Sequence, residues 1–229
     1  MRAVLAVLVC FCAAAPVVAQ SKENQRLADS ASVLQAILST PDKGIPAPLL
    51  NKAYCLVVFP SVKKAGFVIG ASYGRGVMSC RTGTGFSGSW GAPSMMALEG
   101  ASVGLQAGGQ ATDFVLLIMN EQGASSILSS KVKLGADASA AAGPVGRDTS
   151  AETDAAMKAE ILSYSRAQGL FAGVSLEGST LRPDNDANKN LYGKRVEAQQ
   201  IVLDNAEQVP AAAQPLINLL QQTTPKRST

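Results

Sequence analysis

A serine and a lysine three residues apart are the first side chains in this sequence that could carry out chemistry together. Ser61 and Lys64 match the Ser-x-x-Lys spacing, in which the serine is a nucleophile and the lysine takes up its proton. Such a site places the serine at the start of a helix, whereas residues 54–80 consist of short β-rich runs. Hydrolysis by Ser61 and Lys64 is therefore kept only as a third alternative for the function.

The absence of histidine from all 229 residues excludes several other enzyme chemistries. Ser-His-Asp and Cys-His catalysis both need an imidazole, as do histidine-ligated zinc and haem sites. A Gly-x-Ser-x-Gly match at residues 70–74 therefore lacks its base. A dinucleotide-type glycine pattern at residues 83–88 is followed by a loop instead of a helix. We expect a protein without catalytic residues and without a cofactor.

Acidic and amide side chains at positions 184, 186 and 188 resemble the start of a calcium-binding loop. In an EF-hand the sixth loop position is glycine and the twelfth is glutamate, but here these positions are Lys189 and Arg195. Side chains of the same type also cap the first turn of a helix. We expect a capped helix over residues 184–193 and no metal site, with calcium binding as the alternative.

Basic and aromatic side chains between residues 52 and 90 are candidates for binding a ligand. Lysine and arginine can hold an anionic lipid head group while neighbouring aromatic rings enter the membrane interface. The alternative is a solvated turn beside a buried tryptophan. The candidate lipid-binding residues of this segment are Lys52, Lys63, Lys64, Phe67, Arg75 and Trp90.

The elements that must position these residues begin with an amphipathic helix. Residues 1–19 have the charged start, short apolar run and small residues of a cleaved signal peptide, so we expect an exported protein that starts at Gln20 and is periplasmic or envelope-associated. Helical periodicity over residues 22–38 places Leu27, Leu34 and Leu38 on one face. That face either packs on the domain or lies on a membrane surface.

Short apolar runs separated by turn residues indicate a β-rich centre. Strand-like runs occur between residues 54 and 120, at 133–142 and at 161–181. A short helix is expected at 120–131, a loop or a helix at 149–160, and further helical segments at 184–193 and 196–208. The glycines at positions 169, 173 and 178 predict close backbone packing in the sheet. We predict an α+β fold, with a curved antiparallel sheet or partial β-barrel and flanking N- and C-terminal helices. A single domain is expected over residues 20–209, with a C-terminal tail over residues 210–229.

Two cysteines, Cys55 and Cys80, remain when the predicted signal peptide is removed. An exported protein meets oxidising conditions, in which a disulfide is stable. Because the two residues lie on neighbouring predicted strands, they either form one disulfide or stay as buried thiols.

Five segments, taken in order along the chain, resemble the SYLF domain family. They are FPSVKKAGFVIGASYGRGV, GLQAGGQATDFVLLIMN, KLGADASAAAGPVGR, ILSYSRAQGLFAGVSLEG and RPDNDANKNLYG, and the similarity extends over residues 27–192. The resemblance implies a lipid-binding module without catalytic activity. In eukaryotic members an amphipathic N-terminal helix contacts lipid. The matching positions here are Lys22, Arg26 and the apolar face at Leu27, Leu34 and Leu38.

The charge balance argues against nucleic acid as a partner, because 20 Lys and Arg residues oppose 17 Asp and Glu residues, a net charge of +3. We therefore predict an exported, non-enzymatic protein that binds an anionic phospholipid membrane in the cell envelope. A basic rim would bind phosphate while an amphipathic helix or an aromatic loop buries apolar area. The alternative is an envelope scaffold whose glycine-rich surface binds a protein partner.

Overall fold

The computed structural model describes residues 15–39, 44–66, 69–103, 110–146, 158–167, 169–225 and 227. Its helices are α1 (Ala15–Leu38), α2 (Ala47–Lys52), α3 (Glu121–Ser129), α4 (Asn185–Tyr192), α5 (Ala198–Val202) and α6 (Gln214–Thr223). Its strands are β1 (Cys55–Gly66), β2 (Ile69–Cys80), β3 (Ser94–Val103), β4 (Gln110–Ile118), β5 (Val132–Lys133), β6 (Ala140–Ala142), β7 (Ile161–Ala167), β8 (Leu170–Gly173) and β9 (Thr180–Pro183).

The strands form one strongly curled, half-barrel sheet with the order β5-β9-β3-β2-β1-β4-β7-β6, and β8 also pairs with β7. The pairing is antiparallel except between β6 and β7, which run parallel. The predicted α+β class, with a curved sheet or partial barrel and flanking helices, is confirmed. Parallel neighbours need a crossover connection of about a dozen residues or more, and the chain length between β6 and β7 meets this requirement.

Both faces of the sheet are covered, which is why its central strands are continuous apolar runs. Leu56, Val57, Val58 and Phe59 are consecutive in β1 and all buried, with neighbouring side chains pointing to opposite faces. One face packs against α1, α2, α4 and α6, and the other against α3 and α5. We call these the α1 face and the α3 face.

Helix α1 packs its apolar side on the sheet. Leu27, Leu34 and Ile37 are buried in the core of the α1 face, and Leu38 packs against it. Of the two interpretations of the amphipathic helix, the one in which it packs on the domain is therefore confirmed. The apolar face that the resemblance assigns to lipid contact is occupied by contacts within the protein.

An irregularity in β1 separates its buried part from its exposed end. The register with both neighbouring strands shifts between Val58 and Lys63, and Ser61 at this point has a φ of 51°. The backbone N–H of Ser61 donates a hydrogen bond to Asp113 Oδ1 at 2.9 Å. A bulge of this kind bends a strand and redirects its side chains. It places Lys63 at the surface on the α1 face.

The expected close backbone packing is found at Gly173. A Cβ atom at this position would lie 1.9 Å from the carbonyl oxygen of Gly143, so no other residue fits without a shift of the backbone. Gly169 and Gly178 instead occupy turns, each with a φ of 81° that favours glycine. The strand-like runs of the sequence are thereby divided into the short strands β7, β8 and β9.

The C-terminal helix belongs to the core. Leu216, Ile217 and Leu220 of α6 are buried on the α1 face, where α6 contacts α1. The segment predicted as a tail after residue 209 thus contains part of the packed domain. The preceding helix is shorter than predicted, because α5 ends at Val202 and Asn205 has a left-handed φ of 50°.

Candidate functional site: a basic cleft beside the first helix

A cleft of about 470 Å³ opens where α1 crosses the exposed parts of β1 and β2. Three chain segments line it, and four of the lining residues are basic. The lining residues are Lys22, Gln25, Arg26 and Asp29 of α1, Pro60, Ser61 and Lys63 of β1, and Tyr73, Gly74 and Arg75 of β2. We call this site the basic cleft.

Four of the predicted lipid-binding residues meet in the basic cleft. Lys22 and Arg26 come from the helix, whereas Lys63 and Arg75 come from two paired strands. Against these four cations the lining contains one carboxylate, Asp29, which accepts a hydrogen bond from Gln25. The lining residues, counted without the buried carboxylates behind them, therefore carry a net charge of +3.

On the helical side of the basic cleft, Arg26 is paired with a buried carboxylate. Arg26 forms an ion pair with Glu23, whose residue is only 2% exposed. Burial raises the pKa of Glu23 above its usual value, and the nearby Arg26 charge opposes this effect only in part. Arg26 also lies 3.8 Å from the sulfur of Met95. The pairing fixes the arginine against the body of the protein.

On the strand side, Arg75 is held by an aromatic hydroxyl and a second buried carboxylate. Its Nε donates a hydrogen bond to the Tyr73 hydroxyl at 2.9 Å and lies 3.2 Å from Asp184 Oδ2. The hydrogen bond with Tyr73, followed by the charge of Asp184, raises the pKa of Arg75. Asp184 also caps α4 by accepting a hydrogen bond from the Ala187 N–H. The orientation of Arg75 is thus tied to the start of a helix.

Lys22 and Lys63 differ from the two arginines because neither forms an ion pair within the described part of the chain. Both lysines are exposed. Because no neighbouring carboxylate offsets it, the ammonium group of each lysine can act on an external anion. The basic cleft therefore combines two fixed arginines with two available lysines.

The remaining basic and aromatic candidates lie elsewhere. Lys52 is the last residue of α2, half-buried and outside the cleft lining. Lys64 follows Lys63 in β1, paired with Ser72, and Phe67 lies outside the described residues. The structure therefore places Lys63 in the lining of the cleft and Lys52 outside it.

Trp90 is part of the core and not an exposed lipid-binding ring. It is 4% exposed, and its Nε1 donates to the carbonyl and hydroxyl oxygens of Thr224 at 3.1 and 3.0 Å. Its ring packs against the guanidinium of Arg81, whose Cζ lies 4.6 Å from the ring centroid. The expectation that Trp90 enters a membrane interface is corrected by this burial, and the alternative of a buried tryptophan beside a turn is confirmed.

Cys55 and Cys80 form a disulfide between β1 and β2. They are directly opposite in the antiparallel register and both are buried. Of the two alternatives left open by the sequence, the structure contains the disulfide and not two buried thiols.

The short motifs that match enzyme signatures do not lie in the secondary structure that those signatures require. Ser61 is in the irregular part of β1 and not at a helix start, and residues 70–74 lie within β2. Residues 83–88 form a turn around the short 3₁₀ helix Thr84–Phe86. Asp184 is a helix cap as predicted. No cluster of three or more potential metal-ligating acidic or cysteine side chains occurs among the residues that the structure describes.

Sequence reasoning missed Glu23, Tyr73 and Asp184, which hold the two arginines in place. Of these three residues, Asp184 was singled out in the sequence, and only as a helix cap. Buried acids could have been suspected from the alternation of Glu23 with apolar positions of the helix, since Glu23 precedes Leu27 by one helical turn.

None of the helices, within the residues described, has the length and apolar character needed to span a bilayer.

Comparison with known proteins identifies the family. A family model described as "Ysc84: Las17-binding protein actin regulator" matches residues 99–223, more than half of the chain. The SH3 domain-containing protein PJ696.02 of Schizosaccharomyces pombe is 38% identical over 179 residues, which cover 77% of this chain and 40% of that protein. Protein YSC84 of Saccharomyces cerevisiae is 36% identical over 183 residues, covering 79% and 38%.

A human relative, SH3 domain-containing YSC84-like protein 1, is 33% identical over 187 residues, which cover 81% of this chain and 53% of that protein. The chain thus spans about two fifths to one half of the length of these relatives. The resemblance found in the five sequence segments is confirmed, and this chain belongs to the Ysc84 family of SYLF domain proteins.

Proposed function

We propose that this protein binds anionic phospholipid at a membrane surface, without catalysis, through the basic cleft. The observation that carries the proposal is the convergence of Lys22 and Lys63, two exposed lysines without ion pairs, on the rim of one cleft. Lipid phosphates are anions presented at high density, and basic side chains near such a surface each add about 1 kcal/mol of attraction.

The lysines and the arginine of the cleft would bind a phosphate in different ways. The two lysines are compact, mobile charges on flexible stems, suited to any phosphate oxygen that approaches the rim. Arg75 is held by Tyr73 and Asp184, so it presents its remaining donors in a fixed direction. Tyr73 is 45% exposed, and its amphipathic ring suits the level of the lipid head groups.

Binding of this kind depends mainly on charge. The apolar side of α1 and the ring of Trp90 are buried within the protein, so among the described residues that line the cleft Tyr73 supplies the exposed aromatic surface. Attraction between exposed charges is screened by salt over a distance of about 10 Å at about 0.1 M ionic strength. We therefore expect membrane binding to fall steeply as salt is added.

We further infer that the membrane belongs to the cell envelope and that the protein is exported. The signal-peptide pattern of residues 1–19 supports this location. The disulfide between Cys55 and Cys80 agrees with it, because structural disulfides persist in oxidising compartments.

Co-sedimentation with vesicles tests the proposal. Vesicles of phosphatidylcholine alone are compared with vesicles that also contain phosphatidylglycerol, each at low and high salt. We expect binding only to the anionic vesicles and a clear loss at high salt. Equal binding to both vesicle types, or no binding to either, would contradict the proposal.

Two charge reversals locate the binding site. Lys63→Glu changes the charge of the cleft by two, which corresponds to about 2 kcal/mol or a roughly thirtyfold weaker affinity. Arg195→Glu makes the same change on a highly exposed side chain beside Val196, which is buried on the α3 face. We expect Arg195→Glu to bind nearly as the wild type does. Equal losses in both variants would show that overall charge, and not the cleft, is responsible.

A protein partner is the second candidate function. The matching family model is described as a Las17-binding actin regulator, and a relative in Saccharomyces cerevisiae is named LAS seventeen-binding protein 3. If vesicles fail in every condition, the basic cleft is then tested for binding to an acidic protein segment. Lys63→Glu should weaken that binding while Arg195→Glu leaves it unchanged.

A further inference from the structure

A buried arginine follows the C-terminal end of β2 and takes no part in the lipid binding proposed above. Arg81 directly follows Cys80 and is only 1% exposed. It pairs with Trp90 across the turn that contains the 3₁₀ helix. Six residues of extended chain separate it from Arg75, a distance of about 20 Å along the strand. The surroundings of Arg81 are therefore separate from the basic cleft.

Most of the hydrogen-bond donors of Arg81 have no acceptor in the part of the chain that the structure describes. Its Nε donates to the carbonyl oxygen of Ala53 at 3.3 Å, whereas Nη1 and Nη2 are buried without a hydrogen-bond partner. A guanidinium has five N–H donors and is charged at physiological pH. Buried charges in folded proteins are normally paired and fully hydrogen-bonded, so an unpartnered pair of Nη groups points to an external acceptor.

A second arginine lies close to the first one. Arg227 donates from Nε to the carbonyl oxygen of Phe86 at 3.2 Å and from Nη2 to that of Gly85 at 3.0 Å. Its Cζ lies 4.1 Å from the centroid of the Tyr54 ring. Burial, with a contribution from the charge of Arg227, lowers the pKa of Arg81 to about 10. Two like charges thus occupy one aromatic environment.

Among the residues that the structure describes, no carboxylate balances these two charges. Neither Arg81 nor Arg227 takes part in an ion pair within the described residues. The surrounding side chains are instead the rings of Tyr54, Phe86 and Trp90. Rings stabilise the cations but accept none of the hydrogen bonds that a guanidinium fork can donate in its own plane.

We propose that Arg81 and Arg227 form a binding site for a small oxyanion of the phosphate class. A guanidinium binds two oxygens of phosphate in parallel, which would satisfy both Nη groups of Arg81. The near-complete burial of Arg81 excludes a bulky group, so the ligand is a free inorganic anion and not a lipid head group in a bilayer. Arg227 closes the site from the C-terminal segment, which Trp90 anchors through Thr224.

Tryptophan emission provides a direct readout, because Trp90 is the only tryptophan of the chain and packs against Arg81. The full chain is titrated with sodium phosphate and, in parallel, with sodium chloride at the same ionic strength. We expect a saturable change of emission with phosphate and none with chloride. A response that does not saturate, or that is the same for both salts, would overturn the proposal.

Variants separate this site from the basic cleft. Arg227→Ala removes a charged hydrogen-bond donor near the anion and should weaken the apparent affinity for phosphate at least about tenfold. Arg81→Lys keeps the positive charge but removes the planar guanidinium that donates two parallel hydrogen bonds. It should therefore weaken the apparent affinity for phosphate by a similar factor. Lys63→Glu and Arg195→Glu should leave the titration unchanged. If Arg227→Ala titrates as the wild type does, or if Lys63→Glu abolishes the response, the phosphate does not bind where we propose. Failure of this test leaves the vesicle experiment unaffected.

Discussion

Removal of the disulfide provides a quantitative test of how the sheet is held together. The bond joins Cys55 of β1 to Cys80 of β2, with a sequence separation of 25 residues. In the chain-entropy description, closing a loop of this length restricts the unfolded chain by about 3.5 kcal/mol at 25 °C. The Cys55→Ala/Cys80→Ala variant should lose about this amount of unfolding free energy.

Urea unfolding followed by the emission of Trp90 measures the loss, because the buried indole becomes exposed when the chain unfolds. A reductant should lower the stability of the wild type to that of the double variant and should leave the variant unchanged. Cys10 and Cys12 lie in the predicted signal peptide, so only the Cys55–Cys80 pair distinguishes the two proteins. A difference below about 1 kcal/mol between the oxidised wild type and the variant would refute the entropic argument.

The result bears on where the protein works. A typical domain is stable by about 5–15 kcal/mol, so a loss of about 3.5 kcal/mol is a large part of the total. A protein that depends on the bond to this degree is suited to an oxidising compartment. Alkylation of free thiols in cell fractions, followed by mass spectrometry, would show whether Cys55 and Cys80 are bonded where the protein resides.

Three further changes test particular contacts. Because burial raises the pKa of Glu23 above 4.5, its protonated form stabilises the folded state at low pH, and this contribution is lost as the pH rises through the folded-state pKa. Glu23→Gln should therefore remove a decline in stability above about pH 4.5, measured by urea unfolding across pH; a constant offset from the wild type would contradict this. Gly173→Ala should cost about 3 kcal/mol, because the added Cβ would meet the Gly143 carbonyl oxygen at 1.9 Å. The control Gly169→Ala adds only backbone strain at positive φ and should cost about 1 kcal/mol. Equal losses of stability in the two glycine variants, measured by thermal unfolding, would contradict this explanation. Asn188→Ala leaves the N–H of a β3 residue without its acceptor at 2.7 Å and should cost about 2 kcal/mol in urea unfolding, whereas no loss would mean that water replaces the amide.

Much of the secondary structure could be predicted because local patterns determine it. The period of Leu27, Leu34 and their neighbours indicates α1, and the continuous apolar run from Leu56 to Phe59 indicates a strand covered on both faces. The order of the strands could not be predicted, since it depends on pairings between distant segments. The parallel pairing of β6 with β7 is the clearest example, because short alanine-rich segments specify no partner.

The basic residues of the candidate site could be predicted from the sequence, but the contacts that hold them together could not. Lys22, Lys63 and Arg75 were selected as cations, and only the packing of α1 across β1 and β2 brings them together. Trp90 was misplaced because a glycine-rich turn resembles an exposed loop in sequence. Its partner Thr224 lies 134 positions further along the chain, a separation that no local pattern can reveal.

The short outer strands of the sheet have a consequence for how partners can bind. Strands β5, β6 and β8, at the margins of the described sheet, contain two, three and four residues, so each offers few unpaired backbone groups. Addition of a strand from another chain needs a longer free edge, and short edges also limit edge-to-edge aggregation. We therefore expect recognition by the described part of this fold to rely on side chains more than on strand addition.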